Sequence, residues 1–280
     1  MNYLQRAKSF KTKKRLGQNF LVNPDIISFI TEASNMSCQD TVLEIGAGLG
    51  FVTEQLVKKA GEVIAVELDD DAISELEKIK TDNLKILHKD ILKTDLSSLC
   101  DKKMKIVANI PYYITSPIIV HLLGEIDDLN NKNRNSISEI ILMVQKEVAQ
   151  RIVATEKSPS KQYGLLSILS QFHACCEILK IVPRKAFYPA PKVDSAIVKL
   201  TVRNTPLLNL DDYSHFRKTI KAAFSQRRKN IKNCLLSGGF SKESIIKALS
   251  KLDIAENTRA ENISIETFGQ LSKELKNEQN

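Results

Sequence analysis

The chain has 280 residues, 42% hydrophobic and 26% charged, which excludes a disordered polypeptide and suits one large domain plus a smaller one. No apolar run approaches the roughly 18 residues needed to span a bilayer, and MNYLQRAKSFKTKKRLGQNFL at the N-terminus lacks the apolar centre of a secretory signal. A net charge of +8 favours a polyanionic partner.

The N-terminal segment reads as a basic arm, and PDIISFITEAS (24–34) as a helix with Pro24 in its first turn. From 41 to 202 short apolar runs alternate with amphipathic stretches. The expected strands are TVLEIG (41–46), EVIAVE (62–67), LKILH (84–88), KIVAN (105–109), ISEIILMV (137–144), CEILKI (176–181) and SAIVKLTV (195–202). Helices are expected over 51–60, 70–80, 115–124, 145–155 and 162–172. Such alternation implies crossover units and a mostly parallel α/β sheet covered on both faces. The Asn-rich stretch 124–138 reads as a surface loop. Beyond Pro206 only helices are expected: 211–225, 227–236, 242–251 and 264–276. The domain boundary is therefore placed near 205, with a small all-helical domain over 206–280.

Cys38, Cys100, Cys175, Cys176 and Cys234 are odd in number and form no C-x-x-C pair. This pattern suits a reducing, cytoplasmic setting rather than a disulfide framework or a zinc site. The four histidines are scattered, and no metal is assigned.

EIGAGLG (44–50) closes the first strand and opens a helix. Its glycines fall as G-x-G-x-G, with Phe51 where the dinucleotide fingerprint G-x-G-x-x-G would have its last glycine. That departure disfavours a pyrophosphate cradle. Glu67 ends the second strand, where an acidic side chain accepts from both ribose hydroxyls. Asp90, after the third strand, stands where a carboxylate accepts from an adenine amino group. Adenine and ribose without phosphates describe S-adenosylmethionine. At the end of the fourth strand comes NIPYYITSP (109–117). Pro111 lacks an N–H and stops the strand, while holding Ile110 extended. The result is a stiff corner presenting an amide, Asn109, and a ring, Tyr112.

Together these features resemble the Rossmann-like class I methyltransferases, and more narrowly the ribosomal RNA small-subunit adenine dimethyltransferase family. The resemblance rests on KKRLGQNFL (13–21), LEIGAGLG (43–50), NIPYYI (109–114), VPRKAFYPAPKVDSAIVKL (182–200) and AFSQRRKNI (223–231), in order along nearly the whole chain. It implies that Asn19 and Leu21 close over the cofactor, and that Gly46 and Gly48 line its methionine and ribose side. Glu67 would then hold the ribose, Asp90 the adenine ring, and Asn109 would face cofactor and substrate. Tyr112 and Phe187 correspond to aromatics that hold the target base. Ala47 stands where many relatives have proline.

Between Asp212 and Glu243 the chain carries no acidic residue but includes Arg217, Lys218, Lys221, Arg227, Arg228, Lys229 and Lys232. Beside a base-modifying site such a run reads as a phosphate-binding surface, extended by Lys14 and Arg15 of the arm. The expected function is dimethylation at N6 of two adjacent adenines near the 3′ end of 16S rRNA, within a partly assembled small subunit, by a monomer. The alternatives are a macrolide-resistance-type enzyme acting on 23S rRNA, and an assembly factor that no longer turns over.

Overall fold

The computed structural model describes residues 2–226 and 228–278, and they form two compact units. The first comprises residues 2–124, 130–149 and 175–202. It opens with α1 (Tyr3–Ser9), started by a reciprocal cap between Asn2 and Gln5, and with a two-residue strand, β1 (Phe20–Leu21). Then come α2 (Pro24–Ala33), β2 (Thr41–Ile45), α3 (Thr53–Leu56), β3 (Glu62–Glu67), α4 (Asp70–Leu76), β4 (Leu84–His88) and β5 (Met104–Asn109). These are followed by α5 (Thr115–Leu123), α6 (Lys132–Asn135), β6 (Ile137–Gln145) and α7 (Lys146–Val153), whose residues after Ala149 belong to the second unit. After α8 (Leu165–His173), which belongs to the second unit, the sheet resumes with β7 (Ala174–Val182), β8 (Phe187–Tyr188) and β9 (Ser195–Val202).

The seven-stranded sheet runs β4-β3-β2-β5-β6-β9-β7. Strands β2 to β6 are mutually parallel, and β9 runs antiparallel to β6. The central strands are buried along almost their whole length, which is why each reads as a mostly apolar run, interrupted by Glu44 in β2 and Lys105 in β5. The edge strand β4 is only partly covered and keeps Lys85 and His88. A second, two-stranded sheet pairs Phe20 with Tyr188 and Leu21 with Phe187.

The stretch 124–138 is not wholly loop. Asn131 caps the short α6 by accepting the Arg134 N–H at 2.9 Å, and the Arg134 guanidinium is buried against the Leu123 carbonyl at 2.7 Å. Nor is the N-terminal segment a free arm. The Arg6 guanidinium pairs with Glu54 at 2.5 Å and donates to the Leu49 carbonyl at 3.2 Å.

The second unit joins the described residues from 203 to 278 to two stretches from earlier in the chain, 125–129 and 150–174. Its helices are α8, α9 (Tyr213–Ala223), α10 (Ile231–Ser237), α11 (Lys242–Lys251) and α12 (Ile265–Asn277). Asp212, Asn230, Ser241 and Ser264 cap the last four in turn. Phe172 on α8 is packed with Phe216 and Phe268 in one core, so α8 is integral to this unit.

Candidate active site

The ends of β2, β3, β4 and β5 open on one cleft of about 1090 Å³, counting the part open to solvent. Ligands of open parallel sheets bind at this carboxyl edge. The segment 16–21 forms the facing wall.

Gly46 and Gly48 have φ of +73° and +54°, a region that other residues enter at a cost. A Cβ on Gly46 would sit 3.1 Å from the Asn109 carbonyl oxygen, and one on Gly48 3.1 Å from the Phe20 ring. The turn is thus closed against both the β5 end and the facing wall. Glu67 accepts three backbone N–H groups: Gly48 at 2.8 Å on one oxygen, Leu68 at 2.7 Å and Asp69 at 2.9 Å on the other. Those bonds hold its carboxylate at the cleft. Asp90 accepts from the Leu92 N–H at 3.0 Å and lines the cleft beside Leu68 and Ile91.

Glu44, the first residue of EIGAGLG, also lines the cleft. It is 3% exposed and accepts from the Thr53 hydroxyl at 2.5 Å. Burial, reinforced by the charge of Glu67 and only partly opposed by the Thr53 bond, pushes its pKa up to about 8. It therefore carries a proton at neutral pH.

The facing wall is a strap tied down from outside the cleft. Lys13 pairs with Asp69 and, at 2.7 Å, with Asp71, while Gln18 donates to Asp69 at 2.5 Å. Asp69 is buried, which alone would raise its pKa, but its bonds from Lys13 and Gln18 outweigh this and hold it low. Asn19 donates to the Gly17 carbonyl at 3.0 Å, and Gly17 itself packs near Pro111 and Tyr113. Asn19 and Leu21 both line the cleft. The sequence carried no sign of the Asp69 tie beyond the acidic run LDDD.

At the end of β5, Asn109, Ile110, Pro111, Tyr112 and Tyr113 all reach the cleft. Pro111 precedes a single turn, Tyr112–Ile114, whose Tyr112 carbonyl accepts the Thr115 hydroxyl at 3.1 Å. Phe187 lies elsewhere. It is 3% exposed, paired with Leu21 and packed among apolar side chains, and it does not line the cleft in this structure.

Of the expected RNA-contacting cations, Lys14 and Arg15 are exposed on the strap. In the second unit Arg228 and Lys229 are exposed, and Arg227 lies outside the described residues. Arg217 is engaged by Glu125 at 2.8 Å and Asp127 at 3.3 Å, and Lys221 lies 3.6 Å from Glu125. Lys229 also lines a cleft with Arg151, Lys161 and Arg259, three cations that lie outside the acid-free run 213–242 and the N-terminal arm.

The first cleft suits an S-adenosylmethionine-type methyl donor. Among its described lining residues Lys89 is the one cation, against the carboxylates of Glu67 and Asp90, with Glu44 protonated beside them. That balance is wrong for a pyrophosphate and right for a nucleoside bearing positive charge. Strand order and cleft together place the chain among the Rossmann-like class I methyltransferases. The ribosomal RNA adenine dimethylase family model matches residues 9–277, and the chain belongs to that family of enzymes.

Several relatives carry the name ribosomal RNA small subunit methyltransferase A. The one from Shouchella clausii is 41% identical, over 98% of this chain and 93% of its own. The one from Latilactobacillus sakei is 44% identical, over 94% and 89% respectively. Among solved structures, a dimethyladenosine transferase from Plasmodium falciparum is 29% identical with a TM-score of 0.73, covering 92% of this chain and 97% of its own. The 23S rRNA methyltransferase ErmE is 26% identical with a TM-score of 0.70, covering 92% and 100%.

Proposed function

We propose that this protein transfers methyl groups from S-adenosyl-L-methionine to N6 of two adjacent adenines near the 3′ end of 16S rRNA, dimethylating each during small-subunit biogenesis in the cytoplasm. The observation that carries this reading is the Asn109–Tyr112 corner, which lines the same cleft as Gly48 and Glu67. The names of the relatives at 41% and 44% identity favour the small subunit. The likeness to ErmE is the ground for the second reading, 23S rRNA, and is weaker at 26% identity.

Glu67 holds the ribose hydroxyls, Asp90 the adenine, and the Gly46–Gly48 turn the remainder of the cofactor, with Asn19 and Leu21 closing over it. The cofactor supplies an electrophilic methyl group. The target amine is a poor nucleophile because its lone pair is delocalised into the ring. The Asn109 side-chain oxygen and the Ile110 carbonyl accept its two N–H groups and localise that pair on nitrogen. Each methylated amine releases one proton to solvent, with S-adenosylhomocysteine as the other product, so a single N–H remains after one transfer and none after two. The dimethylated amine leaves both acceptors unpaired, which favours release. Tyr112 stacks on the extruded base, as enzymes acting on a base require. Phe187 is proposed as the second aromatic support, once the bound base draws it from its present packing. Lys14, Arg15, Arg228 and Lys229, with Arg227 and Lys221, hold phosphates, while Arg217 is taken up by Glu125 and Asp127, and the helical region 206–280 is the proposed RNA-binding domain.

Tritiated cofactor offered to immature small subunits, large subunits and naked RNA, followed by nucleoside analysis, tests the reading. Dimethyladenosine confined to small-subunit RNA is the expected result. Label in the large subunit alone would favour the second reading.

A further inference from the structure

We propose that Ser195 is a positioning residue for methyl transfer, holding the Tyr112 ring in register with Asn109 through a hydrogen bond to the phenol. This rests on the adenine reading above. The Tyr112 hydroxyl lies 2.6 Å from Ser195 Oγ, and Ser195 is fully buried. The backbone turn after Pro111 fixes where the Tyr112 side chain leaves the chain, but not how its ring swings about its own torsions. A tether at the far end of the ring removes that freedom.

The tether is mounted on the sheet that carries the acceptor. Asn109 on β5 pairs with Met143 on β6, and Met143 pairs with Ile197 on β9. Two residues away in the same ladder, Gln145 pairs with Ser195. The start of β9 is pinned further by Asp194, whose carbonyl accepts the Lys146 N–H at 3.0 Å and whose carboxylate accepts the Arg184 N–H at 2.9 Å. Asn109 and the anchor of the Tyr112 ring therefore belong to one hydrogen-bonded block, β5-β6-β9. A base stacked on that ring has its amine placed relative to Asn109 by the sheet. Small misplacements of a reacting group lower rates steeply. A tether of this kind acts on turnover and leaves cofactor binding alone, because Ser195 does not line the cleft.

The test compares Ser195→Ala, Tyr112→Phe, the double variant and Ser195→Thr, which restores a hydroxyl. Single-turnover methylation, the KM for RNA and calorimetric cofactor affinity are measured on each. Ser195→Ala and Tyr112→Phe should each lower kcat about three- to tenfold, the scale of one hydrogen bond expressed in a rate. The double variant should be no slower than the slower single. Cofactor affinity should stay within about twofold, and Ser195→Thr should recover part of the rate. Losses that multiply in the double variant, a wild-type rate in Ser195→Ala, or an equal loss of cofactor affinity would each overturn the proposal. An inactive wild-type protein would overturn the adenine reading and this proposal with it, whereas an active wild type beside an unaffected Ser195→Ala overturns this proposal alone.

Discussion

The backbone N–H of Gly48 donates to a carboxylate oxygen of Glu67 at 2.8 Å, tying the turn after β2 to the end of β3. Leu68 and Asp69 donate to the other oxygen, so the carboxylate is in place before any ligand arrives. Glu67→Ala should weaken S-adenosylmethionine binding by about 1–3 kcal/mol, through lost charge-assisted bonds. Gly48→Val should abolish binding, since even a Cβ meets the Phe20 ring at 3.1 Å and the φ is +54°. Calorimetry on the two variants decides. Near-wild-type affinity in both would remove the cofactor from this cleft.

The tie of Lys13 and Gln18 to Asp69 holds the strap across the cleft. Lys13→Ala together with Gln18→Ala should speed cofactor dissociation about tenfold or more, with loss of about 1–2 kcal/mol in affinity. Stopped-flow displacement measures the rate. An unchanged off-rate would mean the strap closes without this tie.

Glu44 is protonated in the fold up to a pKa of about 8, against an ordinary 4.5. The unfolded chain releases that proton first, so between these two values the native state binds more protons and stability falls as pH rises. The slope from this group is at most about 1.4 kcal/mol per pH unit. Glu44→Gln should flatten it, leaving the variant more stable than wild type above about pH 8. Denaturant unfolding from pH 5 to 9 reads the difference, and an identical pH profile in the variant would contradict it.

Asn109→Ala should lower turnover by around two orders of magnitude, the scale for one preorganised polar contact in a transition state. RNA affinity, carried by phosphates, should barely change. Asn109→Asp keeps an acceptor oxygen and should retain more activity than Asn109→Ala. Tyr112→Ala removes the stacking face and should be severe. Wild-type single-turnover rates in Asn109→Ala would reduce the corner to a turn.

Replacing Arg228 and Lys229 with Ala should weaken RNA binding and reduce the salt slope by about 0.7–0.9 per lost phosphate contact. Arg217→Ala should act differently. Its guanidinium already serves Glu125 and Asp127, so the change should show chiefly in stability and little in the slope. Binding titrations over a salt series separate the two, and a slope that falls equally in both would count against the distinction.

The seven strands of the large sheet were legible from sequence to within about two residues, as with EVIAVE becoming Glu62–Glu67 and SAIVKLTV becoming Ser195–Val202, whereas β1 and β8 were not. Strands buried on both faces are mostly apolar along their length, and that is a local signal. The glycine turn, Glu67, Asp90 and Asn109 were legible for a related reason, because each sits at a strand end where its neighbours announce it. Helix lengths were less so. The pattern over 51–60 continues past α3, which stops at Leu56 because the chain must turn back to enter β3 at Glu62. Only the tertiary structure joined residues far apart: β1 to β8, Lys13 to Asp69, Thr53 to Glu44 and Ser195 to Tyr112. It also drew 125–129 and 150–174 into the helical unit and turned Phe187 inward beside Leu21. None of these has a periodicity to read. A lone serine or acid has no local pattern to show which distant hydroxyl or amine it will meet, and the partner is chosen only when the sheet brings two separate turns to the same edge.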